Sequence, residues 1–227
     1  MERLEHGIGE KPFDINEIWA KISDESNEIV IKPQDIDHEG NLLVLPEGPK
    51  SNLNEQSWKI VRTKSFIEWF GDWREKKDCS MVVDENGEPK IVTHRADEDK
   101  IVLQPARTEF SVSSRFMHFT SKWVGGKSSW RYGNNIHMAF LNIRKLFNGR
   151  QGLPYYDYPN SEKAGFIGDI DDDFLNWLLK KGYDGAYDPG INRTDDPEKP
   201  AMYTDEYVAL DPQKQVLFID IINAEKK

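Results

Sequence analysis

Apolar residues recur at helical spacing in several stretches of the chain and alternate at strand spacing in others. Ile15, Ile18, Trp19 and Ile22 repeat at intervals of three and four behind Asp14, a suitable cap, and predict a short helix. Asn54 to Arg62 predicts a second helix, and Thr63 caps a third. In the third, Phe66, Trp69, Phe70 and Trp73 form one aromatic stripe, which predicts a face packed against a core. Asp171 to Lys181 is a further helix, with acids at its start, lysines at its end and Gly182 as its stop. Strand patterns cover Glu28 to Lys32, Asn41 to Leu45, Arg115 to Thr120, Asn135 to Ile143, Tyr183 to Tyr187, Met202 to Leu210 and Gln215 to Ile221. Met81 to Val83 and Lys90 to His94 flank Asn86-Gly87, whose tolerance of positive φ predicts a hairpin. Many strands, short helices and no regular βαβ alternation indicate an α+β fold. Pro46 to Lys50 punctuates the chain, so residues 1–50 are expected to form a small α/β extension and 51–227 the main domain.

Composition narrows the function classes. Seven Trp, eight Tyr and eleven Phe among 227 residues supply a sizeable core despite a mean hydropathy of -0.71. No apolar run approaches the roughly 20 residues of a membrane helix, and the first residues lack a signal-like apolar stretch. The single cysteine, Cys79, excludes a disulfide framework and a Cys-based zinc site, so a cytoplasmic location without a membrane partner is expected. Forty acidic residues against 30 basic ones, a net charge of -10, disfavour a nucleic-acid partner.

Several tempting motifs fail on physical grounds. Gly126-Lys127-Ser128 resembles the end of a phosphate loop, and Val216 to Asp220 a magnesium-binding strand, but the opening glycine is replaced by Ser121. Gly133 also stops the helix whose N-terminus would hold the phosphate. Asp169, Asp171, Asp172 and Asp173 lack the loop glycine of a calcium site, and Lys180 stands where its bidentate glutamate belongs. Asn192-Arg193-Thr194 matches a glycosylation acceptor with no secretory signal ahead of it. Cys79 has no base near it in sequence. His6 and His38 fall in loops, while His94, His118 and His137 fall on strands.

One constellation carries more. Arg62-Thr63-Lys64-Ser65-Phe66-Ile67-Glu68-Trp69-Phe70-Gly71-Asp72-Trp73, followed by Val82 to Pro89 and a strand ending in His94, resembles the ADP-ribosyltransferase domains of phage and mobile-element polyvalent proteins. Asp205-Glu206-Tyr207-Val208-Ala209-Leu210-Asp211-Pro212 is similar to the strand that carries the catalytic glutamate in that family and in poly(ADP-ribose) polymerases. Gly182-Tyr183-Asp184-Gly185 agrees, and the resemblance spans residues 51 to 227. It implies an ADP-ribosyltransferase-like split β-sandwich and an effector enzyme: a mono-ADP-ribosyltransferase that uses NAD as substrate and modifies a protein. Cleaving the nicotinamide–ribose bond develops positive charge on the ribose, which a carboxylate can stabilise while it bonds a ribose hydroxyl.

Carried over residue by residue, the resemblance makes Glu206 the catalytic acid and His94 the histidine that bonds the adenosine-side ribose. His118 and Tyr132 become the walls around nicotinamide, with Trp130 in the core, and Arg95 and Ser121 fall beside the cofactor. His94, His118, Tyr132 and Glu206 are therefore expected to line one cleft. Arg95, Arg115, Lys122 and Arg131 are the cations available to the NAD diphosphate. Two positions depart from the family pattern: His118 stands where an aromatic is usual, and Arg95 where glycine is usual. They suggest the competing reading of a catalytically inactive interaction module. An NAD glycohydrolase differs only in using water as acceptor, and an RNA 2′-phosphotransferase would pair His94 with His118 but must bind a polyanion.

Overall fold

The computed structural model describes residues 20, 24, 28–36, 39–40, 51–96, 117–121, 133, 135–148, 172–192 and 203–223. The predicted N-terminal helix, the strand at 41–45, the linker at 46–50, the 126–128 loop, Trp130 and Tyr132 lie outside these residues.

Helix α1, Glu55–Ile60, begins where the Asn54 side chain accepts a hydrogen bond from the Ser57 amide at 2.8 Å. Helix α2, Lys64–Phe70, begins at Thr63, whose hydroxyl accepts from the Phe66 amide at 3.2 Å. It ends at Gly71, with φ of 90°. Phe66 and Phe70 are fully buried and join Leu53, Trp58, Val61 and Trp73 in one core cluster, as the aromatic stripe predicts. Asp84 to Gly87 forms the expected turn, with the Gly87 amide donating to Asp84 O at 3.0 Å. The flanking hairpin, however, shrinks to a single bridge between Val83 and Pro89.

Seven strands follow: β1 Val92–Ala96, β2 Met117–Thr120, β3 Asn135–Leu141, β4 Leu146–Asn148, β5 Gly185–Asn192, β6 Tyr203–Ala209 and β7 Val216–Asn223. Helix α3, Asp172–Lys180, precedes β5, and the short α4, Pro212–Gln215, links β6 to β7. All seven strands belong to one sheet in the order β4-β5-β6-β2-β1-β3-β7, antiparallel except for β4 with β5. This is the α+β architecture expected from the pattern, with β4 and α4 added. Among the described residues no helix is long and apolar enough to cross a membrane.

The sheet is weakest at its centre. β1 and β2 share a single register pair, Thr93 with Thr120, whereas β1 and β3 share five and β2 and β6 share four. The two half-sheets, β4-β5-β6-β2 and β1-β3-β7, are thus internally well paired and joined by a minimal seam. Antiparallel partners share a face, so the register sorts the side chains. One face carries Val92, Phe119, Ala139, Leu141, Tyr207 and Ala209, which form a single apolar cluster with Val82 and Ile143. On the other face, Phe140 and Leu217 pack on the cluster built by α1 and α2. Val208, Ala186 and Phe147 pack there on Phe174 and Leu178 of α3.

Residues 28–36 are fastened to α1 and α2. Val30 and Lys64 amides donate to Arg62 O and Glu28 O at 2.8 and 3.0 Å. Beneath them lies a buried ionic cluster. Arg62 Nε donates to Asp35 Oδ1 at 2.7 Å and Arg62 Nη2 to Glu88 Oε1 at 3.1 Å. Arg74 Nη1 reaches Asp35 Oδ2 at 2.5 Å, and the Arg62 guanidinium stacks 3.8 Å from the Trp58 ring centroid.

Candidate functional site

Between the two helix-covered regions, the second face of the sheet carries a polar strip. Its rows come from four adjacent strands: Thr93 and Arg95 on β1, His118 and Thr120 on β2, Glu206 on β6 and Asp188 on β5. Each residue is placed by the period-two alternation of its strand, and the register sets them side by side. Thr93 Oγ1 and Thr120 Oγ1 meet at 3.0 Å across the seam.

Glu206 is 2% exposed, and His118 Nδ1 lies 3.0 Å from its Oε1. The imidazole is the more open member of the pair, with 27% of its side chain exposed. A carboxylate can only accept, so Nδ1 is the donor of the pair. Directly across the β5–β6 ladder, Asp188 is in register with Glu206 and is itself 5% exposed. Cβ atoms of such a pair stand about 5 Å apart. Two nearly water-free carboxylates therefore face the same space, with an imidazole at its edge. Sequence reading missed Asp188. Within Tyr187-Asp188-Pro189-Gly190 it looks like a turn residue, and only the β5–β6 register sets it beside Glu206.

His94 is placed differently. By register it shares the opposite face with Phe119, whose ring centroid is 5.6 Å away, and with His137 on β3. Its Nδ1 lies 2.8 Å from the backbone oxygen of His118. A carbonyl can only accept, so His94 Nδ1 is the donor. The imidazole stands at the point where the β1–β2 ladder gives out. Thus the structure joins His118 to Glu206 directly and ties His94 to the same strand from the opposite pleat. The four-residue cleft anticipated from the sequence is not what the pleat delivers, and Tyr132 lies outside the described residues.

Arg95 projects from the polar face, and its Nε donates to Gly133 O at 3.0 Å, which holds the guanidinium to the chain. Ser121 ties β2 to β6: its amide donates to Asp205 O at 2.9 Å, and its hydroxyl accepts from the Asp205 amide at 3.0 Å. Arg115, Lys122 and Arg131 lie outside the described residues. His137, 1% exposed and edge-on to Phe218 at 5.7 Å, is a core histidine. Burial pushes the Cys79 thiol up, away from the thiolate form a nucleophile needs. The Val216–Asp220 segment sits in the antiparallel strand β7, not in a parallel phosphate-binding sheet. Among the described residues no group of three or more His, Cys, Asp or Glu side chains could hold a metal ion.

The opposite face holds a second polar group. Tyr187 and Tyr207 rings lie 4.9 Å apart, and Lys90 Nζ is 5.8 Å from the Tyr207 centroid and 3.7 Å from Asp205 Oδ2. Burial, and then the neighbouring Tyr187 and Asp205, push the Tyr207 phenol far above its ordinary value.

No family model, curated protein or solved structure matches the chain.

Proposed function

We propose that the chain is an NAD-dependent mono-ADP-ribosyltransferase in which Glu206 stabilises the ribosyl cation as nicotinamide leaves. The observation that carries this reading is the pair of buried carboxylates, Glu206 and Asp188, set in register on one face of the sheet. Burying like charges together is costly in isolation and is offset when a cation occupies the space between or above them. The nicotinamide ring of NAD is cationic, and the transition state for its departure shifts that charge onto the ribose. A fixed negative site excluded from water suits such a charge. The position of Glu206 within Asp205-Glu206-Tyr207-Val208, together with the Trp69-Phe70-Gly71-Asp72-Trp73 string, supplies the link to this chemistry in particular.

The proposal rests on Glu206 rather than His94, since His94 leaves the sheet from the other pleat. Arg95, which interrupts the family pattern, is drawn to Gly133 and need not occupy the cofactor's place. The net charge of -10 opposes a polyanionic acceptor and favours a protein or water in its place.

The test compares NAD binding and nicotinamide release between the native chain and Glu206→Gln. Native protein should bind NAD and release nicotinamide, and the variant, still folded, should release it about 100-fold more slowly. Absence of both binding and release in the native chain would refute the activity. Full turnover in the variant would leave the activity standing and remove Glu206 from it.

A further inference from the structure

Resting on that reading, we infer that His94 is a positioning residue: its imidazole wedges the β1–β2 seam open and so keeps room beside His118 and Glu206 for NAD. Backbone directions set the stage. The Ser121 amide points to β6, where it donates to Asp205 O at 2.9 Å, so the alternate residues Thr120 and His118 turn their backbone groups towards β1. Thr93 meets Thr120 there, and the same antiparallel register would next set Arg95 opposite His118. The β1–β2 ladder does not include that pair. The His118 carbonyl is met instead by a side chain, with His94 Nδ1 at 2.8 Å. A carbonyl only accepts, so Nδ1 donates in either charge state of the ring.

The exchange of a backbone bond for a side-chain bond has a steric consequence. An imidazole that reaches the His118 carbonyl, packed 5.6 Å from the Phe119 ring, has to be housed at the seam and holds the two backbones apart. On the polar face, Arg95 then bonds Gly133 O through Nε at 3.0 Å rather than closing on His118, whose Nδ1 lies 3.0 Å from Glu206 Oε1. The opening between the half-sheets thus borders the carboxylate that the chemistry requires. The family resemblance gives His94 a different task, bonding the adenosine-side ribose. The two tasks fall on different ring nitrogens: the seam uses Nδ1, and a ribose ligand would act through Nε2.

Substitutions separate the two nitrogens. Asparagine carries an amide donor at the place of Nδ1, glutamine carries one at the place of Nε2, and valine suits a strand but donates nothing. The first readout, native-state hydrogen exchange at the Arg95 amide, requires no NAD. His94→Val should slow that amide about tenfold, as Arg95 closes on His118 O, whereas loss of a merely structural group would speed it. His94→Asn should exchange as the native chain does. With NAD, His94→Val and His94→Gln should raise KM about tenfold with kcat within about twofold of native, and His94→Asn should leave both unchanged. An Arg95 amide that exchanges as fast or faster in His94→Val overturns the proposal whatever NAD does. The reverse order with NAD, His94→Gln near native and His94→Asn impaired, overturns it too and makes His94 a ribose ligand through Nε2. If the native chain releases no nicotinamide, the activity and the room for NAD fall together, while the exchange rates still decide the wedge.

Discussion

At the scale of single residues, backbone geometry and burial make sharp demands. Gly71 ends α2 with φ of 90° and ψ of 161°, a region essentially reserved for glycine. A Cβ there would collide with Asp78 O and the Cys79 backbone. Gly71→Ala should therefore destabilise the fold by about 3 kcal/mol, read as a lower midpoint in thermal unfolding. An unchanged midpoint would show that this turn can relax. Tyr207 makes a different demand. Its folded phenol is held neutral well above the ordinary value by burial first, and then by Tyr187 and Asp205. The unfolded chain ionises near pH 10, so the stabilisation is complete below that pH and is lost as pH rises towards the folded value. Denaturant unfolding should show stability falling above about pH 10, and Tyr207→Phe should flatten that fall. A slope identical in the two proteins would assign it to other groups.

At the scale of elements, residues 28–36 are held by ions rather than by an apolar face of their own. Ile29, Ile31 and Ile36 are exposed, whereas Asp35 is 1% exposed and binds both Arg62 and Arg74. Asp35→Ala leaves two buried guanidiniums facing each other without the carboxylate between them. We expect a loss of about 3–5 kcal/mol, with amides of Val30 and Lys64 exchanging faster than before. If stability falls while those amides stay protected, the segment is held by its backbone bonds alone. The cluster also shows where sequence reading stops. Arg62 stands at the end of a predicted helix and Arg74 just beyond the aromatic stripe, and no local pattern marks either as buried. Asp35 and the Val30 carbonyl on one side, and the Trp58 and Trp73 rings beside Arg62 on the other, enclose them.

At the scale of the whole molecule, the seam between β1 and β2 divides the sheet at the edge of the polar strip. Beyond Thr93 the β1 amides directed at β2 lose the ladder, while those directed at β3 keep a five-pair register. Native-state hydrogen exchange should find the first set exchanging about tenfold faster than the second. Uniform protection across β1 would mean that the half-sheets stay zipped together in solution. The acidic surplus belongs to this scale as well. Among the described residues, Arg62, Arg74, Lys32 and Lys59 are committed to pairs with Asp or Glu of the chain itself.

Local features were legible because local physics decides them. Asn54 and Thr63 bond their own helix amides, Gly182 adopts the positive φ that ends α3, and alternating apolar residues mark β3, β6 and β7 wherever the chain places them. Leu146–Asn148 was not legible, since three residues carry no period, nor was Pro212–Gln215, whose single turn is fixed by Asp211 and Gln215 bonding each other. The site divides along the same line. Sequence resemblance alone singles out Glu206 and His94 for a ribosyl transfer and sets His118 beside the cofactor. The contact of His118 with Glu206, the second carboxylate at Asp188 and the departure of His94 to the other pleat come from strand register. Register joins residues 88 positions apart, His118 and Glu206, through pairings that no local pattern encodes.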